Sequence, residues 1–210
     1  MPSVLPAEEI SDIEKDLIRN GLVNIQSIDP TIKVELKYST EDNFLGEDVY
    51  GDLTNCYLQK EAAVKLAKAQ KFLKEKFPEY SLIVYDGVRP RRIQYKMWDI
   101  VKGTAQQGYV ANPAYGSIHN YGSAVDLSIV DGEGKELDMG TPFDYFGDLA
   151  QPRYEKKFLK EGKLNALQIK NRELLRDVMT KAGFIYISNE WWHFNAFEKD
   201  AVKKKYKIIE

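Results

Sequence analysis

The sequence predicts a single α+β domain, with a central, mainly antiparallel sheet flanked by helices and carrying the candidate metal site. Three observations lead there. The chain has 210 residues, enough for one sizeable core. Apolar residues make up 43% of it, and thirteen Tyr, nine Phe and three Trp suit a compact interior. Segments of helical spacing also alternate with segments of period two, and no repeat, low-complexity stretch or linker divides them. We expect residues 1–30 to form an N-terminal helical extension packed on the domain, and 31–210 to form the domain that bears the chemistry.

Residues 7–20 read as an amphipathic helix. Ile10, Ile13, Leu17 and Ile18 share a face, Ser11 and Glu14 have the spacing of a capping box, and Gly21 ends it. Ile32–Tyr38 alternates as a half-buried strand does, and an Asp-, Asn- and Gly-rich loop runs from Ser39 to about Asn55. Residues 58–77 give the clearest helix, with Ala62, Ala63, Leu66, Ala69, Phe72 and Leu73 on one broad apolar face and Pro78 as its stop. Ser81–Tyr85 is a short buried strand ending in the turn signal Asp86-Gly87. Arg91–Val101 reads as a helix whose first turn accommodates Pro90.

From Gly103 to Asn120 there is little periodicity. Gly122–Val130 alternates again, with Val125, Leu127 and Ile129 on one face and Ala124, Asp126 and Ser128 on the other. Asp131-Gly-Glu-Gly134 predicts a hairpin turn and Glu136–Met139 a returning strand. A second long loop reaches about residue 163. Residues 165–182 read as a helix closed by Gly183, and Phe184–Ile187 and Trp191–Phe194 as two strands around a turn at Ser188-Asn189.

Composition narrows the function classes. The formal net charge is −2, which argues against nucleic acid as a partner. The basic run Lys203-Lys204-Lys205 reads as a solvated tail. No apolar run approaches the ~20 residues of a membrane span, so no membrane partner is expected. The start, Met1 to Glu9, lacks the basic and apolar regions of a signal peptide, so the expected location is cytoplasmic, or periplasmic if an export leader has been removed. The one cysteine, Cys56, excludes an internal disulfide and a Cys-rich zinc cluster. It reads as a small buried hydrophobe rather than a nucleophile, since Asn55 and Tyr57 bring it no activating charge. The oligomeric state is left open.

The chain has two histidines, and both stand near carboxylates. His119 lies in a loop just before Asp126, with Gly122 to turn the chain between them. His193 follows Glu190 by three residues. Two His and one Asp suit zinc better than calcium or magnesium, which prefer oxygen alone. The same residues also fit two polar histidines and a strand-end Asp without a metal. A carboxylate such as Glu190 beside a catalytic metal can take a proton from water, and otherwise it is a surface Glu at a turn. On a flat strand Glu190 and His193 would face opposite ways, so a bend is required if both are to meet one ion. Arg89, at a strand–helix seam, can stabilise an oxyanion or form an ordinary salt bridge. Arg91 and Arg92 are expected to be structural or solvent-facing.

Taken together, the segments Tyr85-Asp-Gly-Val-Arg-Pro90, Ser117-x-His119-x-x-Gly122-x-Ala124-x-Asp126, Met139-Gly-Thr-Pro-Phe-Asp144 and Glu190-Trp-Trp-His-Phe194 resemble the VanX-type D-alanyl-D-alanine dipeptidases. Lys37–Gly46 resembles their N-terminal region. The wider group includes zinc D,D-carboxypeptidases and peptidoglycan endopeptidases, with the hedgehog signalling domain a distant relative. The likeness runs from about residue 30 to 195; residues 1–30 have no clear counterpart, and 103–116 differ in length. The resemblance implies one zinc held by His119, Asp126 and His193, with Glu190 as general base and Arg89 as the group that polarises the scissile carbonyl. It implies Ser117 and Tyr38 as dipeptide contacts and Asp144 as the carboxylate that meets the substrate ammonium. The activity it implies is hydrolysis of the small dipeptide D-Ala-D-Ala. A carboxypeptidase or endopeptidase acting on peptidoglycan, and a noncatalytic zinc-binding interaction domain, are the alternatives.

Overall fold

A computed structural model describes residues 10–210. Residues 7–9 of the expected first helix, and the stretch read for an export signal, lie outside the described residues. Helix α1 spans Asp12–Arg19. Its capping box is formed by Ser11 and Glu14, and Gly21 beyond it has φ 83°. Leu17 of α1 and Leu22 and Ile25 just after it are buried in the main core.

The central sheet has five strands in the order β2-β4-β5-β7-β6, taking β1 as Leu22–Asn24, β2 as Lys33–Val34, β3 as Tyr57–Gln59, β4 as Ser81–Asp86, β5 as Ala124–Val130, β6 as Ile185–Tyr186 and β7 as His193–Asn195. Only the β2–β4 pair is parallel. The sheet is thus mainly antiparallel, as the alternation predicts. A separate antiparallel pair joins β1 to β3. Helices α2 (Lys60–Lys76), α3 (Arg91–Val101), α4 (Glu155–Lys160), α5 (Ala166–Lys181) and α6 (Lys199–Lys205) complete the described elements.

Strand β5 is buried along its whole length. Val125, Leu127 and Ile129 enter the main core with Leu66, Leu73, Leu82 and Val84. Ala124 points to the other face, where a smaller cluster with Ile118, Tyr121 and Val202 of α6 covers it.

Four expectations are corrected. Glu136–Met139 forms no strand: only Glu136 bridges to Val130, because the Asp131 carboxylate draws the turn tight and the chain then leaves the sheet. The strand expected over 32–38 shortens to Lys33–Val34, since Lys37–Ser39 winds into a 3-10 turn that buries Tyr38. Residues 57–59, expected near the helix start, pair with β1 instead. The basic run 203–205 is exposed but belongs to α6, whose Val202 is buried. Beyond α6 the chain folds back: Ile209 is buried, its N–H donates to the Asn120 carbonyl at 2.8 Å, and its own carbonyl accepts from Arg91 N–H at 2.7 Å.

Candidate metal centre

Backbone pairing builds the site. Across β4, β5 and β7, Asp86 stands opposite Asp126 and Asp126 opposite His193. Directly paired residues share a face, so these three polar side chains form one row on the second face of the sheet. A register shift between Val84 and Asp86 brings Asp86 into that row. His119 comes from the 3-10 turn Ile118–Tyr121, capped by Ser117 and closed by Gly122 at φ 62°. A Cβ on Gly122 would sit 2.8 Å from Leu22, so both the backbone twist and the close approach require glycine.

The ligating atoms of His119, Asp126 and His193 lie within 4.8 Å of one another. His119 Nε2 is 3.2 Å from His193 Nδ1 and 3.4 Å from Asp126 Oδ1, and His193 Nδ1 is 2.9 Å from Asp126 Oδ1. The other ring nitrogens define the tautomers. His119 Nδ1 faces the Gly87 carbonyl at 2.8 Å, and His193 Nε2 faces Asn195 Oδ1 at 3.0 Å. Both partners are acceptors, so each of these nitrogens carries the ring proton. Two imidazole lone pairs and a carboxylate oxygen are left facing one another. Three converging acceptors with no donor between them need a cation, so this donor set fits a divalent metal of borderline softness. Without one, a proton takes its place. Burial opposes charge on His193, but the Asp126 carboxylate prevails and raises the imidazole to about 9. Burial likewise opposes the Asp126 carboxylate, yet the two histidines hold it far below the usual range.

Residues 188–192 leave the strand pattern before β7 begins, which is the bend that Glu190 needs. Glu190 Oε2 thereby comes to 4.0 Å from His193 Nδ1, on the metal side. Burial raises its carboxyl above the ordinary value, against the pull of the nearby histidines.

Arg89 is buried. Its Nε and Nη2 donate to Asp86 Oδ2, and its Nη1 to Gln94 Oε1 at 3.1 Å. Of the five guanidinium N–H donors, these bonds leave two free. The Tyr38 ring lies 5.2 Å from the guanidinium carbon. Asp86 is fully buried, and its other oxygen accepts from Tyr50 Oη. The Asp86, Tyr50 and Gln94 supports, together with Asn195, were not singled out from sequence; Asp86 was read only as a turn residue. The turn bearing His119 is tied to Arg89 by its own backbone: Arg89 N–H donates to the His119 carbonyl at 3.0 Å, and Asn120 Nδ2 donates to the Arg89 carbonyl at 2.7 Å. Arg91 and Arg92 are structural, both bonding to Glu210.

Tyr38 Oη donates to Asp144 Oδ2 at 2.7 Å. Asp144 is the one non-glycine residue with positive φ among those described, at 57°, and burial pushes its carboxyl well upward. Its loop hangs on Arg172, a buried cation on α5 whose guanidinium bonds the carbonyls of Met139 and Leu149. Burial lowers Arg172 to about 10. Ser117 caps the His119 turn and also lines the pocket. Cys56 is buried against Gly87, and burial pushes its thiol upward, which suits a packing role.

His119, Asp126, His193, Glu190, Arg89, Tyr38, Asp144 and Ser117 all face one cavity of about 180 Å³. That is smaller than the usual several hundred Å³ of ligand pockets. At interior packing density it holds roughly ten non-hydrogen atoms. A larger hollow of about 580 Å³ lies between α1 and residues 48–52 and 92–96, but it is open to solvent and far poorer in chemistry: none of the metal-site residues lines it. No helix among the described residues is long and apolar enough to cross a membrane.

Residues 18–209 match the Peptidase M15 family model, described as D-ala-D-ala dipeptidase. A D-alanyl-D-alanine dipeptidase of Escherichia coli (strain K12) is 34% identical over 173 residues, covering 82% of this chain and 83% of that protein. One from Enterococcus faecium is 29% identical over 194 residues, covering 83% and 90%. One from Enterococcus faecalis is 26% identical over 201 residues, covering 87% and 94%. With nearly its whole length matched, this chain belongs to the Peptidase M15, D-Ala-D-Ala dipeptidase family, and is a metallopeptidase.

Proposed function

We propose that the protein is a monozinc D,D-dipeptidase that hydrolyses D-Ala-D-Ala to free D-alanine. The observation that carries this reading is the convergence of two imidazole lone pairs and the Asp126 carboxylate beside Glu190, at the floor of a cavity sized for a very small peptide. His119, Asp126 and His193 would hold the metal. A zinc ion bound there supplies Lewis acidity and lowers the pKa of water.

The chain's own groups do the rest. Glu190, with its carboxyl raised by burial, accepts the proton of the attacking water and returns it to the departing amine. Arg89 offers its two uncommitted N–H donors to the carbonyl oxygen as negative charge develops there. Asp86 and Gln94 fix the guanidinium beforehand, so little reorganisation is needed at the moment of reaction. Asp144 and Tyr38 receive the substrate ammonium, and that charge would bring the raised Asp144 carboxyl back down. Ser117 contributes a rim contact.

A peptidoglycan carboxypeptidase or endopeptidase takes a longer substrate, whereas this cavity, at about 180 Å³, is small. The test is a panel of the four Ala-Ala stereoisomers plus a pentapeptide stem ending in D-Ala-D-Ala, with and without a chelator. The expected result is cleavage of the D,D-dipeptide alone, abolished by the chelator and restored by zinc. Preference for the stem would favour the carboxypeptidase reading. Zinc content without activity on any substrate would favour an interaction domain.

A further inference from the structure

Three aromatic rings from three different loops meet at one side of the cavity. Phe146 stacks on Tyr109 with centroids 4.4 Å apart and planes 24° from parallel. Phe44 meets the Phe146 ring edge-on at 4.7 Å. Phe44 in turn contacts the Tyr38 ring at 6.1 Å, and Tyr38 holds Asp144. All three line the cavity, and Tyr109 is 44% exposed, so its outer side faces solvent. Phe146 lies two residues from Asp144 on the same loop.

We infer that Phe44, Phe146 and Tyr109 form a wall that sets the space allowed to the amino-terminal residue of the substrate. The inference rests on the dipeptidase reading above and deepens it. The wall adjoins Tyr38 and Asp144, the pair proposed to receive the substrate ammonium. Interlocked rings deform little, because each is braced by the next in a preferred stacked or edge-on geometry. A side chain longer than a methyl on the first residue would meet these rings while the scissile bond stayed out of reach of Glu190. Tyr109 is the outermost ring of the stack, so its removal alone should loosen the wall, and removal of Phe146 should open it.

The test compares D-Ala-D-Ala, D-Leu-D-Ala and D-Ala-D-Leu on the zinc-loaded wild type, on Tyr109→Ala, on Phe146→Ala and on the double variant. All three peptides keep the ammonium, so the ratios read space rather than charge. The expected result is a rise of about tenfold or more in the kcat/KM ratio of D-Leu-D-Ala to D-Ala-D-Ala in the double variant. The ratio for D-Ala-D-Leu should stay within about twofold of wild type. A merely structural role would lower all three rates together and leave both ratios flat, which overturns the inference. A rise in both ratios overturns the assignment to the amino-terminal end. If the double variant turns over none of them, calorimetric affinities for the same three peptides decide by the same ratios. A wild type that cleaves none of them contradicts the dipeptidase reading, and the affinities of wild type and variants then judge the wall separately.

Discussion

The two sides of the cavity are built in different ways. On the sheet side, Asp86, Asp126 and His193 are set in a row by the backbone register of β4, β5 and β7. On the loop side, Tyr38 comes from the 3-10 turn Lys37–Ser39, Asp144 and Phe146 come from a segment without regular structure, and that segment is tied down by bonds from Arg172 to two carbonyls and from Trp191 to Thr141. Two of the three proposed metal ligands, Asp126 and His193, are therefore held by a cooperative ladder, while His119 comes from a capped 3-10 turn and Glu190 from the bend before β7. Atoms proposed to select the substrate are held by turns and by scattered side-chain bonds. A ladder shifts only as a unit, so it keeps Asp86, Asp126 and His193 in a fixed relation. A loop held by a few side-chain bonds can be remodelled without disturbing the sheet, which lets specificity change independently of mechanism.

The largest effect should come from the sheet side. Glu190→Gln is expected to keep its metal and lose about 10²–10⁴-fold in kcat, read by metal analysis alongside steady-state kinetics. Near-wild-type turnover would remove Glu190 from its role. His119→Ala should lose the metal, since two ligands no longer close the site, and full metallation of that variant would break the ligand assignment.

Arg172→Met tests the loop side. It strands the carbonyls of Met139 and Leu149 and weakens the pairing of Glu155, which Arg176 still holds at 2.8 Å. The expected cost is about 2–4 kcal/mol in denaturant unfolding. KM should rise more than kcat falls, with metal content unchanged. Loss of metal in this variant would mean that the two sides are not independent.

Titration sharpens the contrast further. In the metal-free protein the His193 imidazole is raised to about 9, above its unfolded value near 6.5. Its contribution to stability is complete below the unfolded value and is lost as pH rises through about 9. Metal-free protein should therefore lose up to about 3 kcal/mol over that window. Metal-loaded protein should not, because the metal replaces the proton. Equal pH dependence of Tm in both forms would contradict the shared-acceptor picture. Asn120→Ala is the mildest probe. It cuts the ties from the His119 turn to the Arg89 carbonyl and the Ser117 N–H, at about 1–3 kcal/mol. It should weaken metal affinity and leave KM nearly unchanged, as equilibrium metal competition would show.

What could be read from sequence divides along the same line. The alternation over 122–130 foretold which face Asp126 takes, because period two is a direct consequence of the pleat. The need for a bend at Glu190 followed from the same rule and is met by residues 188–192. The supports were not legible. Asp86 read as a turn residue, yet a register shift makes it the partner of Arg89 and Tyr50. Asn195 and Asn120 carry no motif, since an amide that orients a neighbour looks like any surface Asn. The run Lys203–Lys205 read as a tail because three lysines in a row suggest solvent, yet it belongs to α6, which buries Val202, and Ile209 anchors the chain beyond it. The aromatic wall was hidden for a different reason. Its three rings are about 37 to 102 positions apart in the chain and sit in loops with no periodicity to align them.

The central claim is that His119, Asp126 and His193 close around one ion. X-ray absorption spectroscopy of zinc-reconstituted protein tests it most directly. The account predicts one zinc per chain with two imidazoles at about 2.0–2.1 Å and one carboxylate oxygen at about 2.0–2.2 Å. His193→Ala, left with two ligands like His119→Ala, should lose the zinc and its spectrum. A spectrum with no imidazole scattering, or one unchanged by that substitution, would contradict it.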